Sequence, residues 1–254
     1  MTRAPVRTPV FLALALPLLP ALAAPAQAGC GDGPRPKLDW TGCSKPQLML
    51  DGSDLTGGVF DRASLTATNF TRAKLAGARF VGADVSFGRF GEADLAKADL
   101  AKSVGWRVHL AGANLEGATL VGASLNRSNL SGARLGHADL AKSELNRSDL
   151  TGADLTGADL SRSELARVVF AKAVLKGTKL AFSNLARAQF AGATIEEIDL
   201  TRAYLYRSQI GGADLSRAKG LTQDQIEIAC GSAETRLPAG LARPKSWPCA
   251  QEDE

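Results

Sequence analysis

Apolar residues recur at every fifth position along most of this chain. From Leu50 to Leu215 there are 34 such slots, and 33 of them hold Leu, Phe, Ile or Val; Gly105 is the exception. Two residues earlier, from Ser53 to Ala213, 30 of 33 slots hold Ala, Ser, Thr or Gly, the others being Val108, Val168 and Ile198. A helix repeats near 3.6 residues and a strand at 2, so neither fits a strict five. One large and one small inward position per repeat requires a chain that turns a corner each time. Self-similarity at a fixed period marks a solenoid. Such a fold presents a long regular surface rather than an enclosed pocket.

The stretch Asp149 to Ser161, DLTGADLTGADLS, resembles the pentapeptide repeat family, whose pattern is A(D/N)LxG or close to it. The likeness covers about two thirds of the chain. The resemblance implies an all-β fold, a right-handed quadrilateral β-helix with four pentapeptides per coil and the large and small residues pointing inward. With coils of twenty residues the repeats would make eight to nine coils. At the ~4.8 Å spacing of paired strands the rod would be roughly 40 Å long. The sequence tests the coil length itself: segments beginning at Lys102, Gly122, Lys142, Arg162, Phe182 and Arg202 align without insertion or deletion. That register puts Phe70, Phe90, Phe170 and Phe190 on one side and stacks Phe60 with Phe80. Stacked identical side chains satisfy the demand for a close-packed interior.

Four segments follow: a signal peptide over 1–28, an N-terminal cap over 29–47, the β-helix over 48–219, and a C-terminal capping helix with a Pro-containing tail over 220–254. Arg3 and Arg7, the apolar run from Val10 to Ala24 and the close Ala26-Gln27-Ala28 read as a cleaved secretory signal. The expected location is the periplasm or the medium, with no transmembrane segment in the mature chain. Cysteine usage agrees, with Cys30 and Cys43 before the repeats and Cys230 and Cys249 after them. Opposite ends of a rod lie far beyond the ~7 Å limit between bridged Cα atoms. Local disulfides, Cys30 with Cys43 and Cys230 with Cys249, are therefore expected. The same separation argues against a four-cysteine metal site.

Caps are required because an open solenoid exposes core and strand edges. Trp40 in DWTGC is placed to cover the first coil. Thr222 and Gln225 make a capping box that starts a short helix ending near Gly231, with the tail from Pro238 to Pro248 tied by Cys249. In some members of the resembled family such a helix forms a dimer contact, and the residues here do not separate a cap from a homodimer contact at the C-terminal end.

No catalytic constellation is present. His109 and His137 are 28 residues apart and so fall on different sides of a twenty-residue coil. Neither has a nucleophile and an acid at matching positions. Glu196 and Glu197 read as solvated surface, and the glycines recur at the repeat period rather than in a phosphate loop. A non-enzymatic protein without cofactor or metal is expected.

One surface feature exceeds the repeat. Two residues after the central slot, Arg107, Arg127, Arg147, Arg167, Arg187 and Arg207 follow each other at twenty-residue intervals. The adjoining face carries Arg62, Lys102, Lys142, Arg162 and Arg202. The ridge would be about 24 Å long at the β spacing. Guanidinium groups in a row can hold phosphate or carboxylate bidentately. Trp106 and Tyr206 stand at the two ends as stacking platforms. The blander alternative is that duplication repeated these arginines and that Glu144, Asp149 and Glu164 neutralise them.

A rigid exported rod that binds a partner protein or an anionic envelope component is thus one reading, and a spacer without ligand is the other. Removing Arg3 and Arg7 lowers the formal charge from +4 to +2, too small for general attraction to nucleic acid. The resemblance also suggests protection of DNA gyrase by imitation of the duplex. Export and a repeat region with 22 Lys and Arg against 18 Asp and Glu both depart from that reading. At Gly105 a gap is expected in the interior, filled by Trp106 or Val108 through a local bulge.

Overall fold

A computed structural model of the protein describes residues 29–249; the segment expected to be a signal peptide, 1–28, lies outside the described residues. Each pentapeptide is a two-residue turn, an inward small residue, a bridging residue and an inward large residue. The amide of the small residue closes the turn onto the preceding large residue, as in Ala113 N–H to Leu110 O and Ala153 N–H to Leu150 O, both 3.0 Å. Acidic or amide side chains at the bridging position brace the same turn. Asp54, Asp94 and Asp154 accept from the amide two residues on, at 3.1, 3.2 and 2.9 Å. This Asx turn is the physical content of the D/N in the repeat.

Bridging residues pair in parallel with the equivalent position twenty residues on, for example Asp94 with Asn114, Asn114 with Arg134 and Arg134 with Asp154. The result is a parallel β-solenoid whose coil is one trip round four sides. In two places the pairing widens into short strands, β1 (Val174–Lys176) and β2 (Thr194–Glu196), in the same register. Inside, Phe60 stacks on Phe80 and Phe70 on Phe90, each at 4.7 Å between centroids, and Phe170 on Phe190 at 5.2 Å. Buried hydroxyls in the small-residue columns bind backbone of the neighbouring coil, as Ser148 does with Leu125 O and Ser163 with Leu140 O.

Pairing begins at Asp39 with Val59, so the segment before the apolar pattern already carries the ladder. Trp40 fills a large-residue slot, buried and edge-on to Phe60 at 5.9 Å, and Cys30 is bridged to Cys43 with Cα atoms 5.7 Å apart. At the other end Gln209 pairs with Cys230 and Asp214 with Arg236, offsets of 21 and 22 residues. The extra length holds α1 (Gln223–Glu227), capped reciprocally by Thr222 and Gln225 and ending at Ile228, earlier than Gly231. The Gln225 amide donates to Leu200 O and Ala203 O at 2.9 and 2.8 Å, giving partners to carbonyls at the end of the stack. Trp247 donates to Ala229 O, and Cys249 is bridged to Cys230 with Cα atoms 5.3 Å apart. Among the described residues no helix is long and apolar enough to cross a membrane.

The expected bulge at Gly105 is absent. Val104 keeps its pairing with Asp84 and Ser124. A Cβ at Gly105 would lie 2.6 Å from both Val108 Cγ2 and Leu125 Cδ2, so branched neighbours fill the gap from within. Trp106 stays outside, two-fifths exposed.

Candidate functional site

The second turn residue of nearly every pentapeptide sits in the left-handed region of backbone space, and all six ridge arginines occupy it, with φ from 54° to 60°. Left-handed backbone is least costly for glycine and costs an L-residue about 1–2 kcal/mol. The twenty-residue register stacks these arginines on one corner of the rod. The next basic corner carries Arg62, Lys102, Lys142, Arg162 and Arg202, also at positive φ.

Between these corners lies a face with an unusual outer surface. Val104, Trp106, Tyr204 and Tyr206 project from it, and Phe87 and Phe182 flank it on the two corners, all six substantially exposed. The Arg127 guanidinium lies 5.0 Å from the centre of the Trp106 ring, and those of Arg162 and Arg202 lie 5.5 and 5.7 Å from Phe182. Tyr204 and Tyr206 are nearly parallel at 6.1 Å. The centre of the face is polar: Asn126 Oδ1 accepts from Asn146 N–H, and Asn146 Oδ1 from Ala166 N–H.

For four of the ridge arginines the alternative of neutralisation by Glu144, Asp149 and Glu164 is not found. Among the described residues Arg107, Arg127, Arg147 and Arg167 form no ion pair. Glu144 accepts from Ser124 Oγ and Asn126 Nδ2, Glu164 accepts from Asn184 Nδ2, and Asp149 accepts from Thr151 N–H. A carboxylate at a bridging position finds donors directly above, below or in its own turn, without reaching for the corner. Ion pairs do form on the two remaining faces, as Arg79 with Asp61 and Asp99, Arg134 with Glu116, and Lys179 with Asp159.

Sorting the sequence by turn position alone missed what lies just past the corner. A shallow concavity of about 360 Å³ is lined by Phe87, Arg89, Arg107, Val108, His109, Arg127 and Asn129. Arg89, His109 and Asn129 are successive bridging residues of one column. Sorting the bridging positions by the same twenty-residue register would have found them.

The sequence profile of pentapeptide repeats matches in eight copies, at residues 50–86, 89–127, 109–147, 128–165, 148–181 and 183–219. The chain belongs to the pentapeptide repeat family. Among solved pentapeptide repeat structures, it is similar to HetL, involved in heterocyst differentiation regulation in the cyanobacterium Nostoc sp. strain PCC 7120. Identity is 27%, over 80% of this chain and 91% of HetL, with a TM-score of 0.47. It is also similar to a trypsin-treated form of QnrB1, a plasmid-mediated fluoroquinolone resistance protein, at 14% identity over 76% and 91% of the two chains and a TM-score of 0.44. Rfr23, a pentapeptide repeat protein from the cyanobacterium Cyanothece 51142, is 21% identical over 57% and 89%, with a TM-score of 0.23. No curated protein matches the sequence significantly.

Proposed function

We propose that this pentapeptide repeat protein is a non-enzymatic exported rod whose arginine corner and the face beside it hold an anionic partner of the cell envelope. One observation carries the reading: four arginines in register, Arg107, Arg127, Arg147 and Arg167, form no ion pair among the described residues. The exposed rings of Trp106, Phe182, Tyr204 and Tyr206 flank the same corners. A line of guanidinium forks beside aromatic platforms suits a ligand with repeated anionic groups. Two disulfides, one at each end, support export, since such bonds persist in oxidising compartments. A basic corner speaks against imitation of a DNA duplex, because long-range attraction follows the sign of the surface field.

The test is retention of the oxidised protein on an anionic polymer matrix and on envelope fractions, at low and physiological salt, beside the triple variant R127S/R147S/R167S. Salt-dependent retention that the variant loses supports the ridge. Equal behaviour of the two proteins overturns it and leaves a spacer that contacts its surroundings through its ends.

A further inference from the structure

The ridge explains the corner arginines but not why three arginines line one concavity off its edge. Arg107 and Arg127 line it from the corner and Arg89 from the adjoining face, together with His109 and Asn129. No carboxylate lines the concavity. Arg89, like Arg107 and Arg127, forms no ion pair among the described residues. Three arginines side by side offer many donors and no acceptor, and an anion among them relieves their like-charge repulsion.

The concavity also lies where the repeat fails. Gly105 is the one central slot without a side chain, and Val108 is among the few small-residue slots that are branched. The Val108 amide donates to the Ser128 hydroxyl at 3.0 Å, and Val108 itself lines the concavity. A departure from an otherwise consistent pattern is where function is expected to be written.

We infer that Arg89, Arg107 and Arg127, with His109 and Asn129, form a site for a phosphate-class oxyanion. A lone carboxylate satisfies a single guanidinium fork, whereas a tetrahedral dianion has oxygens for several. The half-exposed Phe87 ring at the wall gives apolar contact to whatever carries the phosphate. This inference rests on the reading of the ridge as anion-binding, and it adds a discrete site with its own residue, Arg89, which the ridge does not contain.

The chain's two histidines supply the assay. His137 lies over Gly157 at another corner and serves as an internal control. Inorganic pyrophosphate titrated into the oxidised protein is expected to move the imidazole NMR signals of His109 saturably and leave those of His137 in place. R89S is expected to weaken binding about tenfold or more, the worth of a charge-assisted hydrogen bond, whereas R134S, on another face and ion-paired with Glu116, leaves it unchanged. Should R89S not fold, R89K keeps the charge but not the fork and is expected to weaken binding in the same direction. Stationary His109 signals, equal movement of both histidines, or full affinity in a folded Arg89 variant would overturn the site.

Polyphosphate separates a polymer-borne phosphate from a free one, and also separates the two proposals. Retention lost in the corner triple variant R127S/R147S/R167S but kept in R89S, with no pyrophosphate binding, overturns the site and leaves the ridge. Pyrophosphate binding that R89S loses, with retention unaffected by R147S/R167S, supports the site and removes the ridge.

Discussion

Two corners of this rod share one backbone conformation and differ in what they carry. The corner through Gly112, Gly132, Gly152, Gly192 and Gly212 has φ from 64° to 72°; that through Arg107 to Arg207 has φ from 54° to 60°. Both sit on the same twenty-residue register and close over the same core. The glycine corner shows the least costly solution for a left-handed turn. The arginine corner departs from it in six successive coils, at about 1–2 kcal/mol per residue, offset in part by the ~0.5–1 kcal/mol of extra chain entropy that glycine loses on folding. The net disadvantage is of order 0.5–1 kcal/mol at each position. The turn itself does not require arginine.

The comparison presumes one common interior, and the largest effect tests that. Phe80 is fully buried, stacked on Phe60 and edge-on to Phe70 at 6.0 Å. Phe80→Ala is expected to lower stability by about 3–5 kcal/mol in urea unfolding. It should leave salt-sensitive retention of the protein that stays folded unchanged, whereas a core that relays to the surface would alter both.

Next in size is the exchange of the corners. R127G/R147G/R167G is expected to raise stability by roughly 1.5–3 kcal/mol in total while abolishing retention on polyanions. If instead these arginines earn their place by covering apolar surface, the variant will be less stable, and a structural role replaces a binding one. The reverse exchange, G112R/G132R/G152R, is expected to cost a similar amount. It should gain little retention if the flanking rings matter, because Trp106, Tyr204 and Tyr206 lie on the other side of the arginine corner. Full retention from this transplanted row would reduce the site to bare charge.

The solenoid was legible because its signal is redundant: a missing Leu at Gly105 does not hide a period stated 33 times. The aromatic stacks and the local disulfides followed from the register and the rod's length. The corner arginines were legible as a column. That Arg107, Arg127, Arg147 and Arg167 form no ion pair among the described residues was not, since Glu144 and Glu164 are near in sequence, and only side-chain geometry shows those carboxylates bound to Ser124, Asn126 and Asn184. The true start of the ladder at Asp39 was hidden because its first coil holds Trp40 and polar residues where later coils hold Leu. The filling of Gly105 by Val108 and Leu125 is a packing outcome that the pattern leaves open.

The smallest expected effect sets the arginine corner against a third corner, through Gly57, Gly77, Gly117, Gly157 and Gly177, by pH. Asp54 braces a turn whose left-handed residue is Gly57, and hydrogen bonds from the Thr56 hydroxyl and amide hold its carboxyl below the usual range. Asp214 is lowered in the same way by Ser216. From Val104 onward the bridging residues that precede the arginine corner are Val104, Ser124, Glu144, Glu164, Asn184 and Tyr204, with no aspartate among them. A carboxyl whose folded pKa is depressed adds stability above its unfolded pKa, near 4, and that stability is lost as pH falls through the folded value. Urea midpoints measured from pH 6 to pH 3 are therefore expected to fall less steeply for D54N, which keeps the accepting oxygen of the cap without its charge. D54N should be slightly the less stable protein at pH 6, and the two should converge toward pH 3. Identical slopes would mean that the aspartate caps carry no acid-sensitive stability, and the two corners would then differ only in the side chain at their left-handed residue.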